Sequence, residues 1–398
     1  MAKIPTNLQA DPTLMAMDGA LIERQFAEKH RGSGGLGMSS IGRPCERELW
    51  YSFRWVETVS FDATSLKRFD DGHRTEEVIA RRMRMVEGIE LHTIDPSTGN
   101  QIRVSDFGGH FSGYLDGVVL GLLQAPKTWH VWECKATNDT KLAQLGRLKA
   151  DLGEKAALAE WDATYFAQAQ SYMGYIGMSR HYLIATSPGG RTQDAVRTDA
   201  DPVAFAQIKA KALRIIQSET PRPKLSTDPA FYQCKFCSFA TTCHAGKVPQ
   251  VNCRTCAHAT PDTTRGGWHC ARHQRHMTTD EQRVGCDQHR FIPALIPFAQ
   301  VVDGDEAANW VEYQKPDGTR FKNGSPQLGM YSSHELRAAQ PNSIGEPTTE
   351  AIKHQFQATL VEPTPAAAPT PNPLTKPFIN WADPGRHGLS NPNRPEAA

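Results

Sequence analysis

Residues 113–117 read Gly-Tyr-Leu-Asp-Gly and residues 128–137 read Thr-Trp-His-Val-Trp-Glu-Cys-Lys-Ala-Thr. Both have the composition of strands, rich in aromatic and β-branched residues, and glycines bound the first. Side chains alternate faces along a strand, so Glu133 and Lys135 share one face while Cys134 takes the other, as a small buried hydrophobe. If the two strands neighbour one another, Asp116 lies beside that pair. Two carboxylates and a lysine cost a great deal to bury together without a counter-ion. A hard divalent cation relieves the repulsion and prefers oxygen ligands. Asp116, Glu133 and Lys135 therefore predict a magnesium- or manganese-assisted phosphodiester hydrolase, with the lysine orienting a water or steadying phosphate charge. Either half alone would read as a turn aspartate or a solvated Glu–Lys pair.

The surroundings are mixed α/β. Residues 64–88 carry an imperfect apolar stripe (Leu66, Phe69, Val78, Ile79, Met83) and predict a helix. Residues 99–105 and 109–121 predict two strands, and 128–137 a third, forming a meander. Residues 155–178 read as one helix, 181–186 as a short strand, and 201–219 as a helix capped by Asp201 with Pro202 at its first position. A hairpin is expected within 301–333, turning at Pro316-Asp317-Gly318. Nine of the 27 prolines fall after residue 362, which reads as an extended, disordered tail. The segment 378–386 (FINWADPGR) inside it is a weaker candidate docking peptide.

The chain has 398 residues, enough for two or three domains and a core that needs no disulfides. No apolar run is long enough to span a membrane, and residues 1–12 lack the apolar stretch of a secretory signal, so an intracellular, cytoplasmic location is expected. There, nine cysteines point to metal or catalysis. With 44 Lys and Arg against 43 Asp and Glu, the charge balance excludes a generic nucleic-acid coat. It leaves room for a local basic groove built from Lys141, Arg147, Lys149 and Lys155, and from Lys209, Lys211, Arg214, Arg222 and Lys224.

Seven of the nine cysteines lie between 234 and 286. Cys234, Cys237 and Cys243 offer three thiolates, and a closed tetrahedral site or an iron–sulfur cube needs four. Cys45 is the candidate for the fourth. Zinc, with His244 as a further ligand, is the rival occupant, and unliganded thiols are the third reading. Cys253, Cys256, Cys270 and Cys286 follow at spacings that resemble a structural zinc ribbon, with His258, His269 and His289 as nearby substitutes. Arg265, Arg272, His273, Arg275 and His276 would sit on its loops, where the ribbon reads as a structural staple or a DNA- or protein-contacting finger.

Residues 40–245 resemble the RecB-like branch of the PD-(D/E)XK nuclease superfamily. The resemblance implies a restriction-endonuclease-like core, a mixed central sheet flanked by helices, with Asp116 and Glu133 as metal ligands and Lys135 as the catalytic lysine. It implies a further acid on the preceding helix, four residues after a glycine. Gly72 and Glu76 fit, as in lambda-type phage exonucleases, with His73 as the second choice. It implies a Gln-x3-Tyr pair on the following helix, here Gln168 and Tyr172, orienting the carboxylate or the DNA strand. A distant cysteine joined to C-x2-C-x5-C resembles the AddB-type and CRISPR-associated four-cysteine nucleases, in which a 4Fe–4S cluster clasps the two ends of the domain. For Cys45, Cys234, Cys237 and Cys243 the same would close a very long loop.

The expected organisation is an N-terminal segment (1–40), a nuclease core with its clasp (41–247), a zinc-ribbon-like segment (248–295), a small β-rich module (296–361) and the tail (362–398). The expected activity is that of a metal-dependent DNA exonuclease of phage or mobile-element type, acting on DNA ends in recombination, repair or replication. A single-strand-annealing or replication protein is a candidate partner. The alternatives are an endonuclease or CRISPR-adaptation nuclease of the same family, or a non-catalytic iron–sulfur or zinc DNA-binding protein.

Overall fold

The computed structural model describes residues 11–28 and 34–361. The tail after 361, with its candidate docking peptide, lies outside the described residues. The chain opens with helix α1 (Pro12–Glu28), a two-residue strand β1 (Leu36–Gly37) and helices α2 (Glu46–Phe53) and α3 (Ala63–Met83). Strands β2 (Glu90–His92), β3 (Arg103–Asp106), β4 (Phe111–Tyr114), β5 (Gly117–Leu120) and β6 (His130–Ala136) follow. Helices α4 (Asp139–Leu152), α5 (Glu154–Trp161) and α6 (Ala163–Ile176) lead to β7 (Arg180–Thr186), β8 (Gln193–Asp199) and α7 (Pro202–Gln217).

The central sheet has the order β2-β5-β6-β7-β8; β6 and β7 run parallel and the other neighbours antiparallel. Parallel pairing needs a long crossover, which α4–α6 supply. The mixed sheet between helical layers is therefore present. The expected simple meander is not. The stretch 109–121 breaks at Leu115–Asp116 into β4, which pairs with β1 and β3 in a separate sheet, and β5, which joins the central one. Asp116 thus stands at the joint between two sheets.

Each face of the central sheet buries its own core. Val131, Leu183 and Val196 pack with helices α4–α7. Trp132, Cys134 and Ile184 pack under Ile79, Ala80 and Met83 of α3. Cys134 is accordingly a buried apolar residue on the face opposite Glu133.

Side-chain caps decide where the helices begin. Asp62 accepts from the Ser65 N–H and Asp201 from the Val203 and Ala204 N–H groups. The helix expected over 155–178 is two helices, because extended Asp162 (φ −158°) turns its carboxylate onto the N–H groups of Thr164 and Tyr165 and starts α6 afresh. Helix α3 ends at Met83, five residues before the expected boundary.

Beyond α7 come the short helices α8 (Tyr232–Lys235) and α9 (Ala240–His244). A three-stranded sheet of β9 (Ala259–Pro261), β10 (Trp268–Cys270) and β11 (Arg275–Met277) precedes α10 (Thr279–Val284). A second sheet of β12 (Gln300–Asp305), β13 (Trp310–Gln314) and β14 (Arg320–Asn323) contains the expected hairpin, with the Gly318 N–H donating to the Lys315 carbonyl. Helices α11 (Ser333–Ala338) and α12 (Pro347–Phe356) end the described chain. The segment after 248 packs both ways. Cys256, Trp268 and Met277 belong to the core under α2, whereas Val251 and Phe291 join Tyr313, Phe321 and Tyr331. Among the described residues no helix is long and apolar enough to cross a membrane.

Candidate functional site

Glu133 projects from the middle of β6 and is 2% exposed; Asp116, at the sheet joint, is 9% exposed. The Cys134 N–H donates to Asp116 Oδ2 at 2.8 Å, which fixes that carboxylate against β6. Lys135 Nζ donates to Glu133 Oε1. The same oxygen accepts from Gln168 Nε2 at 2.8 Å, and Gln168 also donates to the Tyr172 hydroxyl at 3.2 Å. The Tyr172 hydroxyl in turn donates to the Tyr114 carbonyl at 2.8 Å, in the strand that leads into Asp116. The structure thus brings Asp116, Glu133, Lys135, Gln168 and Tyr172 together, and Gln168 and Tyr172 act as struts behind Glu133.

Glu76 approaches from α3, on the other face, near enough to feel the Asp116 and Lys135 charges. Burial, and then the Asp116 charge, push its pKa up to about 7. Glu133 is also pushed up, by burial first and then by Asp116. Asp116 is raised by burial, against the opposing pull of Lys135. Burial alone would lower Lys135, but the charges of Glu133 and Asp116 outweigh it and hold the ammonium protonated. His73 lies on the exposed side of α3, where its charge would be felt by Asp116.

Three carboxylates that resist ionising together, beside a lysine that stays charged, form an oxygen-rich donor set. Glu133 Oε2 is buried and finds no hydrogen-bond partner. That is the unsatisfied acceptor a hard dication would complete, so the residues present fit magnesium or manganese. Among the described residues no three His, Cys, Asp or Glu side chains already close on one point as a formed metal shell does.

His181 belongs to this neighbourhood and is invisible in the sequence. It pairs with Val131 across the parallel ladder, is fully buried, and its pKa is driven down to about 3 by burial and then by the Lys135 charge. The only local signal was a histidine in an apolar strand.

The cations expected to form a groove are mostly engaged with the protein's own acids. Lys141 pairs with Asp162, Lys149 with Asp194, Lys155 with Asp199 and Lys209 with Asp106, at 2.5–2.8 Å. Arg214 and Arg222 both take Glu46, and Lys211 Nζ donates to the Ile41 and Arg43 carbonyls. These positions bring their counter-ions with them because acids on neighbouring elements fold against them, which sequence spacing does not reveal. Of the aromatics, Trp161 and Tyr172 are core residues, while Tyr165 stands 5.4 Å below the Lys135 ammonium.

Both cysteine sets gather. Cys45, Cys234, Cys237 and Cys243 line one small cavity, although 189 residues separate the first two. Cys45 is the N-cap of α2, its sulfur accepting from the Glu48 N–H at 3.4 Å. Burial raises the Cys243 thiol, opposed by Arg47 and Lys224 and reinforced by Cys45 and Cys234; burial likewise raises Cys237, reinforced by Cys45 and Cys243. Cys253, Cys256, Cys270 and Cys286 line a second cavity of about 420 Å³. His289, one of the substitute ligands, instead commits Nε2 to the Asn252 carbonyl at 3.1 Å.

No family model and no curated protein matches the chain. Among solved structures, SSO0001 aligns with TM-score 0.34 at 12% identity, over 57% of this chain and 96% of its own. LHK-Exo, an alkaline exonuclease from Laribacter hongkongensis, aligns with TM-score 0.31 at 16% identity, over 48% of this chain and 90% of its own. Its complex with dAMP aligns with TM-score 0.32 at 15% identity, over 50% and 90%.

Proposed function

We propose that the protein is a metal-dependent deoxyribonuclease acting at DNA ends, with Glu76, Asp116, Glu133 and Lys135 as its reacting centre. The observation that carries this reading is the buried cluster of Asp116, Glu133 and a protonated Lys135, with one Glu133 oxygen unsatisfied and Glu76 near enough to feel the Asp116 and Lys135 charges. A structural ion pair needs one acid; three acids near one base leave excess negative charge that extra protons offset in the metal-free protein and a bound cation offsets in the loaded one.

Glu76, Asp116 and Glu133 would hold magnesium or manganese, which supplies Lewis-acid polarisation of the phosphate and lowers the pKa of water. Lys135 carries its proton at neutral pH, so it donates hydrogen bonds to the attacking water or a phosphate oxygen and does not act as the base. Gln168 fixes the Glu133 carboxylate through Oε1 and leaves Oε2 for the cation. Tyr172 holds Gln168 and the Tyr114 carbonyl in one line, which couples the β4–β5 joint to β6.

Cys45, Cys234, Cys237 and Cys243 would hold a 4Fe–4S cluster, the donor set being four thiols around one cavity; zinc is the alternative occupant. Either would staple the start of α2 to the segment after α7.

The test is digestion of end-labelled linear and closed circular DNA with magnesium or manganese, using wild type, Asp116→Asn and Lys135→Ala. Loss of linear DNA alone, by wild type alone, is the expected result. Cleavage of circles would make it an endonuclease, and equal cleavage by the variants would remove the assignment.

A further inference from the structure

Arg54 and Arg254 are 2% and 3% exposed where the segment after 248 meets α2. Both guanidinium groups lie over the Trp268 ring, each 4.9 Å from its centre. Arg54 donates to the carbonyls of Ser218, Arg254 and Ala259. Arg254 donates to the carbonyls of Gly34 and Phe53 and to the Gln282 side chain. A third arginine, Arg290, is 3% exposed and donates to the carbonyls of Asn309, Asp287 and His289. None of the three makes an ion pair with a carboxylate among the described residues. The carboxylate whose charge reaches Arg54 is Glu219, on the surface. Carbonyl groups satisfy N–H donors but do not cancel net charge, and buried cations without a counter-charge are expensive.

The compensating charge is available in the same cluster as Trp268. Cys256 and Cys270 are buried in the same apolar cluster as that ring, and with Cys253 and Cys286 they line one cavity. The Cys256 sulfur lies where its charge would act on both Arg54 and Arg290. As neutral thiols the four offer nothing. The outer two are held by weak partners, Cys253 by the Glu281 carbonyl at 3.6 Å and Cys286 by His273 at 3.5 Å.

We propose that Cys253, Cys256, Cys270 and Cys286 bind one zinc ion as four thiolates, and that this centre is the counter-ion of the buried Arg54 and Arg290. Four thiolates around a divalent ion carry a net charge of about −2. Each thiol gives its proton to solvent as the metal binds, four in all. Loading then holds the segment on the nuclease core by charge as well as by packing. At the same junction the backbones of Gly108 and Gly266 meet so closely that a Cβ on Gly108 would stand 2.6 Å from the Gly266 nitrogen.

The experiment uses the full chain with zinc or cobalt alone, in wild type, Cys234→Ser (first set) and Cys270→Ser (second set). Metal analysis should find zinc in wild type and Cys234→Ser, and one equivalent fewer in Cys270→Ser. Cobalt loading should give the charge-transfer and d–d bands of a tetrahedral thiolate site in Cys234→Ser. Equal zinc in wild type and Cys270→Ser, or iron in place of zinc at this set, overturns the site. Arg54→Met should lower zinc affinity by roughly ten-fold or more in chelator competition, as loss of a partner surrounding the ligands does; unchanged affinity overturns the counter-ion role. If Arg54→Met does not fold, chelation of Cys234→Ser reads the same link. Stripping zinc should open tryptic cleavage at Arg272 and Arg275 and restoring it should close those sites, and an identical digest with and without zinc overturns the link.

Discussion

The Cys134 N–H donates to the Asp116 carboxylate at 2.8 Å, although the Cys134 side chain points to the opposite face of the sheet. Strand β5 begins only at Gly117, opposite Trp132, so a side-chain carboxylate and not a backbone carbonyl meets this donor. One residue of β6 therefore packs the α3 layer with its side chain and positions the site with its backbone. Replacing Asp116 by Asn keeps the shape and removes one negative charge. We expect Asp116→Asn and Lys135→Ala each to lower the cleavage rate about 10²–10⁴-fold with DNA binding largely retained, measured by single-turnover kinetics and a binding assay on the same samples.

Glu133 depends on Gln168, and Gln168 on Tyr172. Tyr172→Phe removes the hydroxyl that accepts from Gln168 and donates to the Tyr114 carbonyl. The expected cost is about 1–3 kcal/mol of stability and roughly ten-fold or more in rate at sub-saturating metal. Raising the magnesium concentration should recover part of the rate. A variant equally impaired at every metal concentration would mean the strut does not act through the metal ligands.

Metal-free protein should lose stability as pH rises through this site. Glu76 titrates near 7 when folded and near the ordinary carboxylate value when unfolded. The native state then binds the extra proton, so stability is highest below the unfolded value and falls until pH passes about 7. Allowing for the solvent that screens this half-buried group, the contribution is on the order of 1–2 kcal/mol. Melting scans in chelator at pH 5.5 and 8 should show it. Glu76→Gln should shrink the difference to the part that the likewise raised Glu133 contributes, and magnesium at pH 8 should raise the melting temperature of wild type more than of Glu76→Gln.

The first cysteine set makes a visible prediction. Anaerobically purified protein should be brown with about four iron atoms per chain, and Cys45→Ser should bleach it. Because Cys45 also caps α2, a matched Cys134→Ser control separates loss of cluster from loss of a thiol. A colourless wild type with one zinc lost in Cys45→Ser selects the zinc alternative.

Gly108 has φ +65° and its absent Cβ would meet the Gly266 backbone. Gly108→Ala should cost more than about 2 kcal/mol, adding backbone strain to a clash that neither chain segment can relieve by a rotamer change. Thermal melts should report it as earlier loss of structure, with faster proteolysis after residue 253.

Much of the site was legible in the sequence because its logic is local. Period-two alternation alone placed Glu133 and Lys135 together and Cys134 apart, and i, i+4 spacing put Gln168 and Tyr172 on one face of α6. Asp201 and Pro202 marked the start of α7 by the same kind of short-range chemistry. What the sequence could not decide depended on contacts between distant segments. Whether 109–121 is one strand or two turned on β4 finding β1 and β3, and the break there creates the position of Asp116. The lysines expected to face a polyanion were claimed by acids such as Asp194 and Asp199, brought in by β8 from well over thirty residues away. Cys45 met its partners where Tyr51 of α2 packs edge-on against Phe239 before α9, and the buried Arg54 and Arg254 became visible only once both lay over the Trp268 ring. Local propensity determines which residues can share a face. Only the folded chain determines which faces meet, because that choice rests on burial and charge compensation summed over the whole core.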